Sequence, residues 1–532
     1  MIRIRQIKVN IENDNIDVLK KKITSKLKID IKDLKDITII KKSIDARDKN
    51  NILYTYEVNI FVNNESRILK RVNSNDIFKI NEEKYDYPNS GNINLNKRPI
   101  VVGAGPCGLF CALILAENGY RPIVIERGEK VEDRINTVNS FWEKGILNKE
   151  SNVCFGEGGA GTFSDGKLNT LVNDSNCRIK KVFDTFIECG APEEISYINK
   201  PHIGTNILRD VVINLRNKIL NLGGDIFYNT CLTDIEISNN SINSIIINND
   251  KKIECDVLVL ALGHSARDTI KMLYDYKIKM ETKPFAVGVR IQHKQEMINK
   301  SQYGKFDKVL PPASYKLTHK SSNGRGVYTF CMCPGGYVVN SSCEEGHLIV
   351  NGMSDYERNG ENANSAVVVT VGPNDYGQNP MDGIEYQRRL EKLAYRKGNG
   401  KIPVQLWEDY KNNTISTKFK DVKPQFKGGC TFTNLNEIFP YYINDALKEG
   451  IEAMDKKIKG FASDDAILAG VESRTSSAVK ILRDENFISN INGIYPAGEG
   501  AGYSGGITTS AVDGIKIAEK IIEKYSNKSL NV

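Results

Sequence analysis

The segment from Pro99 to Glu126 restricts the fold of this 532-residue chain more than any other. An apolar run, Ile100-Val-Val, meets the glycine-rich turn Gly103-Ala-Gly-Pro-Cys-Gly108 and then the apolar stretch Leu109 to Ala116. A second short apolar run, Ile123-Val-Ile, ends in Glu126. Short apolar runs bounded by glycine read as strands buried on both faces, and the longer stretch between them reads as a helix. Strand, glycine turn, helix, strand and acid in this order form a βαβ unit for a dinucleotide. Gly103 permits the tight turn, Gly105 lets the backbone approach a pyrophosphate, and Gly108 lets the helix pack on the strand. Pro106 and Cys107 open the helix, whose N-terminus aims free N–H groups at the phosphates. Glu126 is placed to accept hydrogen bonds from a ribose, with Arg127 beside it at the same site.

A chain this long exceeds one core, so several domains are expected. Residues 1–65 alternate as a βαββ unit, predicting a small, basic, ferredoxin-like α/β domain over 1–95. The polar segment Asn81 to Arg98 reads as its linker. A Rossmann-like, three-layer α/β domain then runs over 96–281, with a helix over Ile203 to Leu222 and strands at Gly224 to Tyr228, Cys231 to Ile237 and Asp256 to Gly263. Residues 282–458 are richer in Gly, Tyr and Asn and read as an inserted α+β substrate domain. The chain returns to the first domain over 459–532.

Charge is concentrated at one end. Residues 1–98 hold 21 Lys and Arg against 14 Asp and Glu, a surplus equal to the net charge of +7. Without aromatic residues interleaved among the cations, this reads as a solvated face or a dock for an acidic protein, not a nucleic-acid surface. The N-terminus lacks an apolar signal region, and no apolar run approaches the ~18 residues of a membrane helix. Eleven cysteines without a repeating spacing fit a reducing, cytoplasmic setting better than a disulfide framework. The five histidines show no metal-ligand spacing.

A second glycine-rich stretch, Ile494-Tyr-Pro-Ala-Gly498-Glu499, leads to Gly505-Gly506 and a helix beginning at Ile507. Two such stretches at opposite ends of a chain point to a flavin held from both sides, with Glu499 on its ribityl–pyrophosphate side. The Gly506 helix start would lie at the flavin N1 edge, where its dipole favours the reduced anion. A third glycine-dense segment, Cys154 to Asn169, is expected to line the isoalloxazine through Gly158, Gly159, Gly161, Thr162, Asp165, Gly166 and Lys167. Leu232 and Gly263 complete the expected contacts to non-covalent FAD. Leu262 to Arg267 lacks the spacing of a second dinucleotide motif, so NAD(P)H, if used, binds transiently over the flavin. Cys331 and Cys333 are either a redox pair or small buried hydrophobes. Arg474 is either an anion site or a structural ion pair, and His264 is expected to face solvent.

These motifs together resemble the two-dinucleotide-binding-domain flavoproteins. More narrowly, the chain resembles a bacterial group of FAD-dependent dehydrogenases with a small N-terminal α/β domain. The resemblance runs from Ser43-Ile-Asp-Ala-Arg47 through the Gly103 and Gly156 loops, Val287-Gly-Val-Arg-Ile and Phe330-Cys-Met-Cys-Pro-Gly-Gly. It continues through Asn351-Gly-Met-Ser and Val471-Glu-Ser-Arg to the Gly493 stretch. It implies FAD and redox chemistry on a small-molecule substrate. The alternatives are electron transfer to a protein partner docked on the basic N-terminal domain, and a binding protein that has lost the flavin.

Overall fold

The computed structural model describes residues 1–530 apart from 73, 82 and 171. Five parallel strands form its centre, in the order Ile494–Pro496, Leu258–Leu260, Ile100–Val102, Ile123–Ile125, Asp225–Phe227. Alternate residues of a strand face opposite sides of the sheet. Val101, Val124 and Val259 accordingly pack with the helices Pro106–Glu117, Gly204–Asn221 and Ile507–Lys524. Ile100, Val102, Ile125, Leu258 and Leu260 pack instead against the antiparallel meander Leu232–Ser238, Ser241–Ile247 and Lys251–Glu254. Helices, sheet and meander make three layers, the number the sequence predicts, but the meander strands Ser241–Ile247 and Lys251–Glu254 are not among the strands read from the sequence. The C-terminal helix lies so close to Pro106–Glu117 that a Cβ on Gly514 would sit 2.1 Å from the Cys107 carbonyl.

Between the strands Leu258–Leu260 and Ile494–Pro496 the chain builds a seven-stranded sheet. Its order is Thr318–Lys320, Gly326–Cys333, Asn362–Val371, Phe285–Lys294, Ile467–Glu472, Ile402–Leu406, Cys430–Phe432. Helices Asp382–Lys397 and Tyr441–Asp455 pack on it. Strand Ile467–Glu472 thus lies beyond the sequence-derived boundary at 458 yet inside this sheet. Val479–Ile481 then pairs antiparallel with Met280–Thr282, bringing exit and entry side by side. The reason for the shifted boundary is local. An apolar run such as Ile467-Leu-Ala-Gly-Val has the same signature in a parallel sheet and in a buried antiparallel one.

The N-terminal sheet is antiparallel, in the order Leu34–Asp45, Leu53–Val62, Ile2–Asn10, Ile77–Lys79. Helices Ile16–Leu27 and Glu65–Arg71 complete a βαββαβ unit. The last helix and strand, seven and three residues long, are too short to show periodicity, so the sequence reading stops at βαββ. The linker is anchored. Ile93–Asn94 pairs with Tyr525–Ser526, the Tyr85 hydroxyl donates to Glu519 at 3.0 Å, and Leu95 is fully buried. No helix among the described residues is long and apolar enough to cross a membrane.

Leu95→Ala should therefore destabilise the protein by about 2–4 kcal/mol, the cost of emptying a packed core site, although it lies in a polar segment. Urea denaturation measures this; a change near zero would mean that the linker is not docked.

Candidate functional site

Ligands of open parallel sheets bind beyond the carboxyl ends of the strands, and three glycine turns meet there. Gly103 leaves its strand with φ of 101°, and a Cβ on it would lie 2.3 Å from the Ala261 carbonyl oxygen. The helix Pro106–Glu117 begins at Gly105 and the helix Ile507–Lys524 at Gly506, so neither first turn receives a side-chain cap. Their free N–H groups carry the positive ends of two helix dipoles. Gly159 faces Gly105 across the gap, where a Cβ on Gly159 would stand 3.2 Å from the Gly105 Cα. Around these turns lies a cleft of about 1570 Å³ of empty space, partly open to solvent.

Most of the expected cofactor residues line this cleft. Gly105, Pro106 and Cys107 form one end, and Gly159, Gly161, Asp165, Gly166 and Lys167 form a wall. Gly263, Gly498, Glu499, Gly505, Gly506 and Ile507 close the opposite side. Gly103, Gly108 and Gly158 lie behind the lining and shape it. Thr162 does not reach the cleft: it is fully buried and its hydroxyl donates to the Glu157 carbonyl at 3.0 Å. Arg127 and Leu232 line a separate cavity. There Arg127 stacks 4.3 Å from the Phe155 ring and pairs with Glu150 and Asp268.

Glu126 has a task that the sequence reading did not include. Its Oε2 accepts from Ala104 N–H at 2.8 Å, and its Oε1 accepts from Gly128 and Gly156 at 3.0 and 2.9 Å. The carboxylate fastens the first glycine turn to the Gly156 loop; Glu126 itself is buried and is not among the residues lining the cleft. The converse arrangement lies close by. Arg134 is completely buried and spends its guanidinium on the carbonyls of Asn152, Val153, Glu157 and Gly159, at 2.6–3.0 Å. Burial pulls its pKa down to about 10, against the pull of Glu126. The sequence hides Arg134 because it sits in the amphipathic helix Val131–Lys144, where a cation reads as surface.

Further along the wall, Asp165 is buried and takes two bonds from Arg358, at 2.9 and 2.5 Å, with Lys167 Nζ 3.1 Å away. Burial alone would raise its pKa, but Lys167 and Arg358 hold it below the usual carboxylate range. Asp165 therefore positions Lys167 at the cleft.

The inserted sheet supplies the facing wall. A bulge between Phe330 and Cys333 puts Cys331 at φ of 43°, a conformation that non-glycine residues hold only under constraint. This turns Cys331 to the cleft and leaves Cys333 buried behind it. The Cys333 thiol donates to the Cys331 carbonyl at 3.3 Å, and Lys167 Nζ lies 3.8 Å from the Cys333 sulfur. Arg290, itself fully buried, fixes the bulge by donating to the Cys331 carbonyl at 3.2 Å and to Glu472 at 2.8 Å.

Arg474 lines the cleft but is already engaged. Its Nε and one terminal nitrogen clasp Glu391 at 2.9 and 2.7 Å, and the other terminal nitrogen donates to Ser265 and to the Cys343 sulfur. It is a structural ion pair, not a free anion site. His264 is a correction in the other direction: its side chain, only 17% exposed, lines the cleft with Nδ1 3.4 Å from Glu499. Among the described residues no group of three or more His, Cys, Asp or Glu could hold a metal.

The donor set fits a dinucleotide cofactor. Two uncapped helix N-termini, an acid at Glu499 and glycines whose missing side chains leave the cleft open suit a long ligand that is anionic in its middle and flat at one end. Site and fold define a Rossmann-type dinucleotide-binding protein. Residues 284–475 match the family described as "FAD-dependent protein, C-terminal domain-like", and residues 1–61 match a domain of unknown function, DUF8436. An uncharacterised protein of Clostridium beijerinckii is 49% identical over 531 residues, covering 98% of this chain and 99% of its own. The chain belongs to this family of FAD-dependent proteins.

Among solved structures, glycine oxidase from Bacillus cereus is 13% identical with a TM-score of 0.31, covering 82% of this chain and 98% of its own. A flavoprotein/dehydrogenase from Cytophaga hutchinsonii is 12% identical with a TM-score of 0.34, covering 80% and 78%.

Arg134→Met should cost about 3–5 kcal/mol, because four buried carbonyls lose a charged partner, and should release FAD. Thermal unfolding and the flavin content of the purified protein test this; normal flavin content would show that the loop holds without the guanidinium.

Proposed function

We propose that the protein transfers a hydride between FAD in the cleft and a small organic substrate in an adjoining cavity. The observation that carries this reading is the continuity of two spaces. Beside the cleft lies a second cavity that shares Phe330, Thr475 and Gly505 with it. Its far wall belongs to the inserted sheet, through Phe285, Tyr328 and Thr370, and its near wall to the C-terminal turn, through Tyr503 and Thr509. A substrate seated there would meet the cofactor at Phe330.

When bound, FAD supplies the two-electron chemistry through its N5 position. The chain's own residues bind, orient and exclude water. The N-terminus of helix Pro106–Glu117 would hold the pyrophosphate, and that of Ile507–Lys524 the ring edge on which negative charge gathers on reduction. Glu499 would take the ribityl side, with His264 fixing its orientation. Lys283 and Lys516 line that cavity and form no ion pair among the described residues. Burial and nearby Lys480 lower the Lys283 pKa, against the pull of Glu499. Two unpaired ammonium groups favour a substrate with a carboxylate or another anionic group. NAD(P)H would act as a transient reductant over the flavin.

The purified protein is expected to be yellow and to release FAD on denaturation, whereas Gly159→Val, which fills the space before Gly105, should yield colourless protein. Colourless wild-type protein that cannot be reconstituted with FAD would sink the reading. Anaerobic bleaching by NADH or NADPH supports a dehydrogenase fed by nicotinamide; indifference to both points to a protein electron partner. Lys283→Met should raise KM for an anionic substrate about tenfold, the loss of roughly 1.4 kcal/mol of ground-state binding, with kcat little changed. An unchanged KM would remove Lys283 from recognition.

A further inference from the structure

Eleven cysteines are distributed along the chain, and two that lie far apart in sequence meet at the cleft. Cys154 opens the loop that Arg134 holds, and it lines the cleft beside Phe155, His264 and Ser265. Cys343 comes from the inserted unit and is buried directly behind it, in a small cluster with Phe155 and Ala266. Cys154 packs against that same cluster, which places the two cysteines side by side. The Cys154 sulfur also lies 3.4 Å from the Ser341 carbonyl.

The surroundings are built for negative charge on sulfur. Arg474 gives two of its three nitrogens to Glu391 and Glu344, and donates from the third to Cys343 at 2.8 Å and to Ser265 at 2.9 Å. Arg474 is itself fixed, since Glu391 also holds Arg267. The neighbouring Cys343 thiol, opposed by burial and assisted by Arg474, brings the Cys154 thiol down to about 6. The pair therefore has one sulfur biased toward the thiolate, packed in the same cluster as its partner and beside a fixed guanidinium. This is the pairing that dithiol–disulfide chemistry requires.

We propose that Cys154 and Cys343 form a redox-active dithiol that exchanges two electrons with the flavin, an inference that rests on FAD occupying the cleft. In the oxidising direction the Cys343 S–H bond breaks and a disulfide forms between the two sulfurs. Two electrons and the one Cys343 proton pass to oxidised flavin, giving the singly protonated reduced anion. One negative charge stands on each side of the step, first on Cys154 and then on the reduced flavin. The reverse step lets reduced flavin open the disulfide. The pair would store a second set of two electrons beside the cofactor, so that substrate and reductant need not be present together.

The test is an anaerobic reductive titration of the FAD-loaded protein in a Cys331→Ser/Cys333→Ser background, which removes the other thiol pair at the cleft. Iodoacetamide alkylation and peptide mapping follow at each stage, in that background and in wild type. The expected result is a Cys154–Cys343 linked peptide in the oxidised protein, both cysteines alkylated in the reduced protein, and four electrons taken up per flavin. Adding Cys343→Ser should reduce the uptake to two electrons. The proposal is overturned if Cys154 and Cys343 are alkylated at every stage and uptake stops at two electrons. It is equally overturned if the linked peptide survives full flavin reduction, which would make it a permanent crosslink. Colourless protein is a different failure, since it removes the flavin reading itself. Independently of flavin, Cys154 alkylation should rise with pH through about 6, because the thiolate is the nucleophile. Cys343→Ala should move that midpoint up toward the ordinary thiol range, and no movement would show that Cys343 does not poise Cys154.

Discussion

The carboxylate of Glu391 is fully buried, and the geometry of the cleft depends on how its charge is neutralised. Removing a carboxylate from water costs several kcal/mol unless it is paired and hydrogen-bonded. Glu391 takes both terminal nitrogens of Arg267, two nitrogens of Arg474 and the hydroxyl of Ser473. Burial would raise its pKa, but the two guanidinium groups hold it well below the usual range. The partners come from different parts of the fold. Glu391 is on helix Asp382–Lys397 of the inserted unit, Arg267 begins the helix that follows a central parallel strand, and Arg474 follows strand Ile467–Glu472. Satisfying one charge therefore fixes the inserted sheet against the parallel sheet. It also sets Cys343 and Ser265 at the cleft.

Two smaller devices complete the site, and both exchange charge for backbone order. Glu126 accepts only from N–H groups among its protein contacts, and Arg134 donates only to carbonyls. A glycine-rich loop has little side-chain packing of its own, and glycine loses more conformational entropy on folding than other residues. Anchoring such loops through their peptide groups keeps the surface bare, which a flat ligand lying against them needs. Capping side chains at Gly105 or Gly506 would have supplied the same order while filling the space.

The inserted sheet contributes reactivity more than shape. Its bulge at Cys331 and the pocket around Cys343 each place one sulfur near cationic nitrogen, Lys167 and Arg290 in one case and Arg474 in the other. Neither is a matter of sequence spacing. The Cys-x-Cys of Cys331 and Cys333 becomes a pair of unlike sites only because the bulge turns one residue outward.

The sequence by itself determined the local chemistry that short-range rules govern. It contained the βαβ unit with its glycine turn, the second glycine turn before the C-terminal helix, the three-layer domain and the glycine-rich part of the cleft lining. These follow from period-two and helical patterns and from backbone positions that only glycine tolerates. Tertiary structure decided whatever depends on residues distant in the chain. It assigned Ile467–Glu472 to the inserted sheet, completed the N-terminal unit with a short helix and an edge strand, and docked the linker through Tyr85 and Leu95. It also turned His264 into the cleft, occupied Arg474 with Glu391, and brought Cys154 to Cys343. The physical reason is the same throughout. A buried charge or thiol takes its properties from the groups packed around it, and packing is not a local property of the chain.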